Sequence, residues 1–294
     1  MQIILIGINH KTAPVEVREK LACDPALVSE ALGQLHQAYP DCEFVLLSTC
    51  NRVECYAVVD KQTGPNAADL TQWLADFRGV EYGIIENAFY VKTNDDAVRH
   101  LFTVASSLDS MVIGESQIIA QVKEGYKQAC QCQTTGKVLN RLFHDAFRTS
   151  KDIITRTSIA SRRVSVAGVA VDLARQLFTN IQTAKVLVVG AGHMGELLVE
   201  HFRHEQCLDI TVVNRSAPRG CQLAQKHDVS SKSWDQLDRE MLKANIVAVA
   251  GSANEEYLLT RDKIKSLMLA RRNHVLLAID ITVPRSVEPE AGEI

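Results

Sequence analysis

A chain of 294 residues is about two domains long, and 46% hydrophobic with 23% charged residues excludes an intrinsically disordered polypeptide. The net charge of −3 excludes wholesale coating of nucleic acid, though it leaves room for a local basic patch. No apolar run reaches the roughly 18 residues of a membrane span. The apolar start Met1-Gln2-Ile3-Ile4-Leu5-Ile6-Gly7 lacks a basic leader and a cleavage site, so it reads as a first strand.

The first hundred residues mix short strands with helices. Ile3 to Ile8, Phe44 to Leu47 and Val53 to Val59 are strand candidates, and in the third Glu54 and Tyr56 alternate against Val53, Cys55 and Ala57. Asp95 or Asp96 can cap a helix with an apolar face of Val98, Leu101, Phe102, Ala105 and Leu108. Helical spacing returns at Ile118, Ile119, Val122, Tyr126 and Ala129, then runs from Leu139 through Phe143 and Phe147 to Ile153. The polar, basic stretch from Thr155 to Ser165 predicts a linker, and Val166 to Phe178 a crossover helix. Beyond Lys185 strands alternate with helices: Val186 to Val189, a helix to about Phe202, then strands Ile210 to Val213, Ile246 to Ala250 and Val275 to Asp280. The expected fold is α/β: an N-terminal α+β domain over 1–156, a linker over 157–165, and a doubly wound parallel sheet over 166–294.

Gly190-Ala191-Gly192-His193-Met194-Gly195 is a dinucleotide fingerprint in its required context, after a strand and opening a helix. Gly190 permits the tight turn, Gly192 admits a pyrophosphate to the backbone, and Gly195 lets helix and strand approach. All six residues are candidate cofactor ligands. The following strand ends in Asn214-Arg215-Ser216, with no carboxylate to hold a ribose 2′-hydroxyl. A guanidinium and a hydroxyl suit a 2′-phosphate, so the expected cofactor is NADPH; the bland alternative for Arg215 is a solvated surface charge.

Cys50 lies in the turn of a predicted hairpin, within Ser48-Thr49-Cys50-Asn51-Arg52. A free cysteine is usually a small buried hydrophobe, and that reading suits Cys23, Cys42, Cys55, Cys207 and Cys221. Cys50 differs because Thr49, Asn51 and Arg52 make a polar, cationic turn that favours a thiolate nucleophile. Eight cysteines without regular spacing point to a reducing cytoplasm. No metal site is expected: Cys130-Gln131-Cys132 is too tight for zinc, and His201, His204 and Cys207 lack a fourth ligand.

The block Ser48-Thr49-Cys50-Asn51-Arg52-Val53-Glu54 resembles the active-site signature of glutamyl-tRNA reductases. Gly7-Ile8-Asn9-His10-Lys11-Thr12-Ala13-Pro14, Ala105 through Glu115, and the fingerprint closing with Asn214-Arg215-Ser216 agree in order. The resemblance implies that Cys50 takes the glutamyl group of charged tRNA as a thioester, which NADPH reduces to glutamate-1-semialdehyde at the start of tetrapyrrole synthesis. It implies that His100 assists at the carbonyl and that Thr49, Asn51 and Arg52 cradle the glutamate, Arg52 by a bidentate bond. Ser110, Glu115, Ser116, Gln117 and Gln121 fall at positions around the substrate, Ser116 standing where the family usually has proline. It further implies hand-over to glutamate-1-semialdehyde aminomutase, and a homodimer built on a C-terminal helical domain. The chain stops at Glu293-Ile294, so that domain is expected to be missing.

Between Lys137 and Arg163 seven cations (Lys137, Arg141, Arg148, Lys151, Arg156, Arg162, Arg163) face two carboxylates, Asp145 and Asp152, a local net of +5. This stripe is a candidate tRNA guide or, equally, a solvated helix face. Two other functions remain open to the residues alone. One is a thiol-dependent dehydrogenase of a small aldehyde; the other is a non-catalytic NADPH-binding redox module.

Overall fold

The computed structural model describes residues 1–112, 114, 117–157, 165–251, 257–272 and 274–294. It contains two compact units, Met1–Val164 and Ser165–Ile294. Residues 158–164, within the expected linker, lie outside the described residues, as do the candidate ligands Glu115 and Ser116 and the stripe cations Arg162 and Arg163.

The first unit runs β1 (Gln2–Asn9), α1 (Val15–Leu21), α2 (Pro25–Ala38), β2 (Glu43–Ser48), β3 (Arg52–Val59), α3 (Ala67–Phe77), α4 (Tyr82–Ile85), β4 (Tyr90–Thr93), α5 (Asp95–Ala105), α6 (Gln117–Gln131) and α7 (Lys137–Arg156). Its four strands form an antiparallel sheet in the order β2-β3-β1-β4. Alternating side chains on a strand point to opposite faces, so Arg52, Glu54 and Tyr56 share one face of β3 while Val53, Cys55 and Ala57 share the other. All eight residues of β3 are buried, so the polar face is also covered. Phe143 of α7 meets Tyr56 edge-on there, with ring centroids 5.6 Å apart.

Some helix ends differ from the sequence expectation. Asn94, at φ 47°, occupies the cap of α5, and Asp95 and Asp96 lie in its first turn. Leu108, expected on the apolar face of that helix, falls beyond its end and is 45% exposed. The helical pattern from Ile118 to Ile153 is broken at 132–136, where Gln133 takes a positive φ of 58°. The Glu43 carboxylate, arriving from β2, then accepts from the Val138 and Leu139 amides (3.0 and 2.6 Å) and caps α7 across the fold. β4 was not evident in the sequence because only four residues form it, at a sheet edge.

The second unit runs α8 (Val166–Leu177), β5 (Val186–Val189), α9 (His193–His204), β6 (Ile210–Val213), α10 (Ala217–His227), β7 (Ser230–Lys232), α11 (Leu237–Lys243), β8 (Ile246–Val249), α12 (Arg261–Ala270) and β9 (Leu277–Asp280). Its sheet is wholly parallel in the order β7-β6-β5-β8-β9, the doubly wound arrangement whose direction reverses beside β5. β5 and β8 are buried on both faces, which explains their unbroken apolar runs. β9 begins at Leu277, two residues later than expected, and Val275 is 73% exposed. Among the described residues no helix is long and apolar enough to cross a membrane.

Candidate active site

The β2–β3 turn is built around Thr49. Its amide donates to the Arg52 carbonyl (2.8 Å), and its hydroxyl accepts from the amides of Asn51 (3.2 Å) and Arg52 (3.1 Å). The His10 amide donates to the Asn51 carbonyl (3.0 Å), bracing the turn from the end of β1. Arg18 of α1, which is buried, donates from Nη1 to the Cys50 carbonyl and from Nε to the Ala13 carbonyl (3.2 Å). Burial lowers the Arg18 pKa, against the opposing pull of Cys50 and two glutamates. Cys50 itself is half-buried, on a backbone held by these contacts. Thr49 and Asn51 thus serve the turn itself, holding the backbone on either side of the nucleophile.

Behind the turn lies a fully buried carboxylate that the sequence reading did not single out. Glu54 Oε1 accepts from Arg52 Nη1 (2.6 Å) and the Tyr90 hydroxyl (2.5 Å) and meets His100 Nε2 at 2.8 Å; Oε2 accepts from the Tyr56 hydroxyl (2.7 Å). Burial alone would raise the Glu54 pKa, but the His100 hydrogen bond and the Arg52 charge outweigh it and hold the group at about 2. Conversely, Glu54 outweighs burial to keep Arg52 firmly protonated. Burial, reinforced by the Glu54 charge, pushes the Tyr56 and Tyr90 hydroxyls upward, so both remain donors. Gly7 makes this packing possible: it pairs with Glu54 and Tyr90 in the sheet, and a Cβ there would stand 2.9 Å from Glu54 Cγ and 3.0 Å from the Tyr90 ring.

This cluster changes the picture of Arg52. The sequence suggested a fork presented to a substrate; in the structure Arg52 is 1% exposed and engaged on both sides. Nη1 holds Glu54, and Asp109 covers the other side, with Oδ2 at 3.4 and 3.5 Å from Nη1 and Nη2 and its carbonyl accepting from Nη2. His100, on α5, is likewise buried and oriented through Nε2 by Glu54. Ser110, half-buried, accepts from the Ser107 hydroxyl at 3.4 Å in the loop that carries Asp109. Gln117 and Gln121 lie one turn apart on α6, and the buried Gln117 Nε2 has no hydrogen-bond partner among the described residues. A buried donor left unpaired is costly unless a ligand completes it. Of the other thiols, Cys23, Cys42, Cys55 and Cys207 are buried, and burial raises their pKa values, Cys55 to about 12. Cys221, expected to be buried, is exposed on α10.

In the second unit the fingerprint glycines divide by role. Gly190 adopts φ 114°, and a Cβ on it would stand 2.5 Å from the Gly251 amide nitrogen at the end of β8. A Cβ on Gly195 would stand 2.0 Å from the Gly190 carbonyl oxygen. At Gly192 a Cβ would meet nothing within 4 Å. That open space lies at the N-terminus of the twelve-residue α9, whose unsatisfied amides favour an anion. His193 and Met194 form the first turn of that helix. The Asn214 amide accepts from the Ala191 amide (3.0 Å) and donates to the Ser216 carbonyl (2.9 Å), clipping the two loops together. Arg215 stacks over Trp234, its guanidinium carbon 5.2 Å from the ring centroid, and Ser216 occupies the N-cap position of α10. Glu196, Glu200 and His227 converge closely enough for a metal, but Lys226 and His227 already contact Glu196 (2.6 and 3.0 Å).

Residues 6–157 match the family model for the glutamyl-tRNAGlu reductase N-terminal domain, and residues 172–294 match that for shikimate / quinate 5-dehydrogenase. A glutamyl-tRNA reductase of Magnetococcus marinus is 38% identical over all of this chain and 69% of the relative. One from Geobacter metallireducens is 37% identical over all of this chain and 67% of the relative. The chain belongs to the glutamyl-tRNA reductase family. The solved glutamyl-tRNA reductase of Methanopyrus kandleri aligns with 99% of the chain and 69% of its own length, at 31% identity and a TM-score of 0.51. Members of this family are NADPH-dependent oxidoreductases of tetrapyrrole synthesis. The match in the second unit implies a nicotinamide cofactor for the doubly wound domain. The family's thiol signature and the buried Glu54 cluster therefore occupy one unit, and the dinucleotide fingerprint the other.

Proposed function

We propose that this chain reduces the glutamyl group of glutamyl-tRNA to glutamate-1-semialdehyde, using Cys50 as nucleophile and NADPH as reductant. The observation that carries this reading is a half-buried thiol on a braced hairpin turn, beside a buried cluster that couples Arg52 and His100 through Glu54. The Cys50 thiolate attacks the carbonyl carbon of the aminoacyl ester; a C–S bond forms, the C–O bond to the tRNA ribose breaks, and the ribose oxygen takes a proton. Bound by the Gly190-Ala191-Gly192 turn and Arg215, NADPH would supply the hydride that reduces the thioester carbon to the aldehyde, with Cys50 leaving as the thiolate. With Nε2–H donated to Glu54, His100 keeps Nδ1 as an acceptor that can take a proton during the acyl transfer. Arg18 and the turn amides hold Cys50 in place as the bond forms and breaks.

NADPH is favoured over NADH because Asn214 and Arg215 stand where an NADH site carries a carboxylate. Trp234 stacking positions the Arg215 guanidinium, whose in-plane N–H groups suit a phosphate. The open face at Gly192 gives the pyrophosphate its approach to α9. For tRNA, α7 offers Arg141 and Arg148, 87% and 75% exposed, although Asp145 pairs with both (3.8 and 2.6 Å) and dilutes the stripe. Eight cysteines, with no disulfide among the described residues, suit a reducing cytoplasm.

The test is incubation with glutamyl-tRNA, with and without NADPH, and identification of products. Wild-type protein should yield glutamate-1-semialdehyde with NADPH and a trappable Cys50 thioester without it. Cys50→Ser should yield neither, because a serine alkoxide is far harder to form at neutral pH. Near-wild-type reduction by Cys50→Ser would defeat the mechanism.

A further inference from the structure

The charges around Arg52 balance only because a surface-loop carboxylate has joined them. Arg52 and Lys11 bring two positive charges and the buried Glu54 brings one negative charge. Asp109 supplies the remaining anion: Oδ1 accepts from Lys11 Nζ, and Oδ2 lies 3.4 Å from Arg52 Nη1. Lys11 is the second residue past β1, next to His10, whose amide holds the Cys50 turn through Asn51. Without Asp109 these groups would present one uncompensated positive charge beside the nucleophile, which suits one monovalent anion.

We infer that Lys11 and Arg52 form a carboxylate subsite that Asp109 occupies in the free protein, and that the side-chain carboxylate of the glutamyl substrate displaces it. The inference rests on the glutamyl-tRNA reading above and assigns Lys11 and Asp109 parts in it. Arg52, at 1% exposure, meets no ligand while Asp109 covers it, so any substrate contact requires Asp109 to leave. The surrounding loop is suited to that movement. Leu108 and Met111 are 45% and 50% exposed, so lifting Asp109 pulls neither of them out of the apolar core. Lys11, with its side chain 59% exposed, can follow the incoming group. Burial would raise the Asp109 pKa, but Lys11 and Arg52 outweigh it, so the resident ligand is a charged carboxylate like its competitor. The exchange selects for charge. A glutamyl carboxylate replaces one anion with another, whereas a glutaminyl amide would leave the cations uncompensated and cannot expel Asp109.

The test uses the full chain and glutarate as the probe, reading protection of Cys50 from N-ethylmaleimide by mass spectrometry of the Cys50 peptide. Asp109→Asn removes the competitor, so the half-protecting glutarate concentration should fall by about tenfold, as for loss of one charged hydrogen-bonded partner. Lys11→Met should raise it by a similar factor and Lys11→Arg should restore it. Neutral glutaramide should protect weakly in every variant. An unchanged or higher glutarate requirement in Asp109→Asn would show that Asp109 merely props Arg52 and would overturn the subsite. Equal protection by glutaramide, or none by glutarate in any variant, would overturn it as well. Thioester formation by the wild type from glutamyl-tRNA is followed in parallel: its absence overturns the functional reading, whereas a failed glutarate shift alone overturns only the subsite.

Discussion

Glu54→Gln removes the charge that Arg52, Tyr56, Tyr90 and His100 all address while preserving the side chain's shape. Breaking a buried ion pair by neutralising one partner costs about 3–5 kcal/mol, because the other charge stays buried without compensation. Asp109 remains 3.4 Å from Arg52, and the tyrosine hydroxyls can turn to the new amide, so the lower end of that range applies. The pKa gives an independent scale: a drop from the ordinary 4.5 to about 2 in a fully buried group corresponds to about 3 kcal/mol. The chain has two tryptophans, Trp73 on α3 of the first unit and Trp234 in the second. Urea unfolding followed by fluorescence in a Trp234→Phe background therefore reports the first unit alone. At a slope of about 2 kcal/mol/M, Glu54→Gln should lower the midpoint by about 1.5 M at pH 7. Because the folded pKa is depressed, this stabilisation is present above pH 4.5 and is lost as pH falls toward 2, so the gap between wild type and variant should close across that window. A midpoint shift below about 0.3 M at pH 7, or a gap that persists at pH 2, would refute the view of Glu54 as the charged centre of the site.

In a Trp73→Phe background, Gly195→Ala should lower the urea midpoint of the second unit, with a cost of about 1–3 kcal/mol or more, because its Cβ would stand 2.0 Å from the Gly190 carbonyl oxygen. Gly192→Val should leave that midpoint nearly unchanged yet abolish NADPH binding measured by fluorescence titration, while glutamate is still released from glutamyl-tRNA by hydrolysis of the stranded thioester. Arg215→Ala should weaken NADPH binding by about tenfold and NADH binding much less; equal losses would reject a 2′-phosphate contact. Reversing Arg141 and Arg148 to Glu should weaken tRNA binding and flatten its dependence on salt with NADPH affinity unchanged, and an unaltered salt slope would return α7 to an ordinary solvated face.

Local pattern carried the strands and the two motifs, because burial and backbone geometry leave periodic traces. The apolar runs at 186–189 and 246–250 read as buried strands, and a glycine fingerprint between strand and helix implies a dinucleotide site. The hairpin that presents Cys50 was visible for the same reason, as two strand patterns separated by a polar turn. The sequence also showed that Glu54 and Tyr56 share a face of β3, but not that the face is buried. That depends on Tyr90 and His100, which lie 36 and 46 residues beyond Glu54. Nor did any local signal join Arg18 to Cys50, or Lys11 to Asp109 across 98 residues. A charged side chain reads the same in sequence whether water or a buried partner surrounds it. Only the tertiary fold decides which charges lose their water, and here that choice turned four scattered polar residues into one cluster around Glu54.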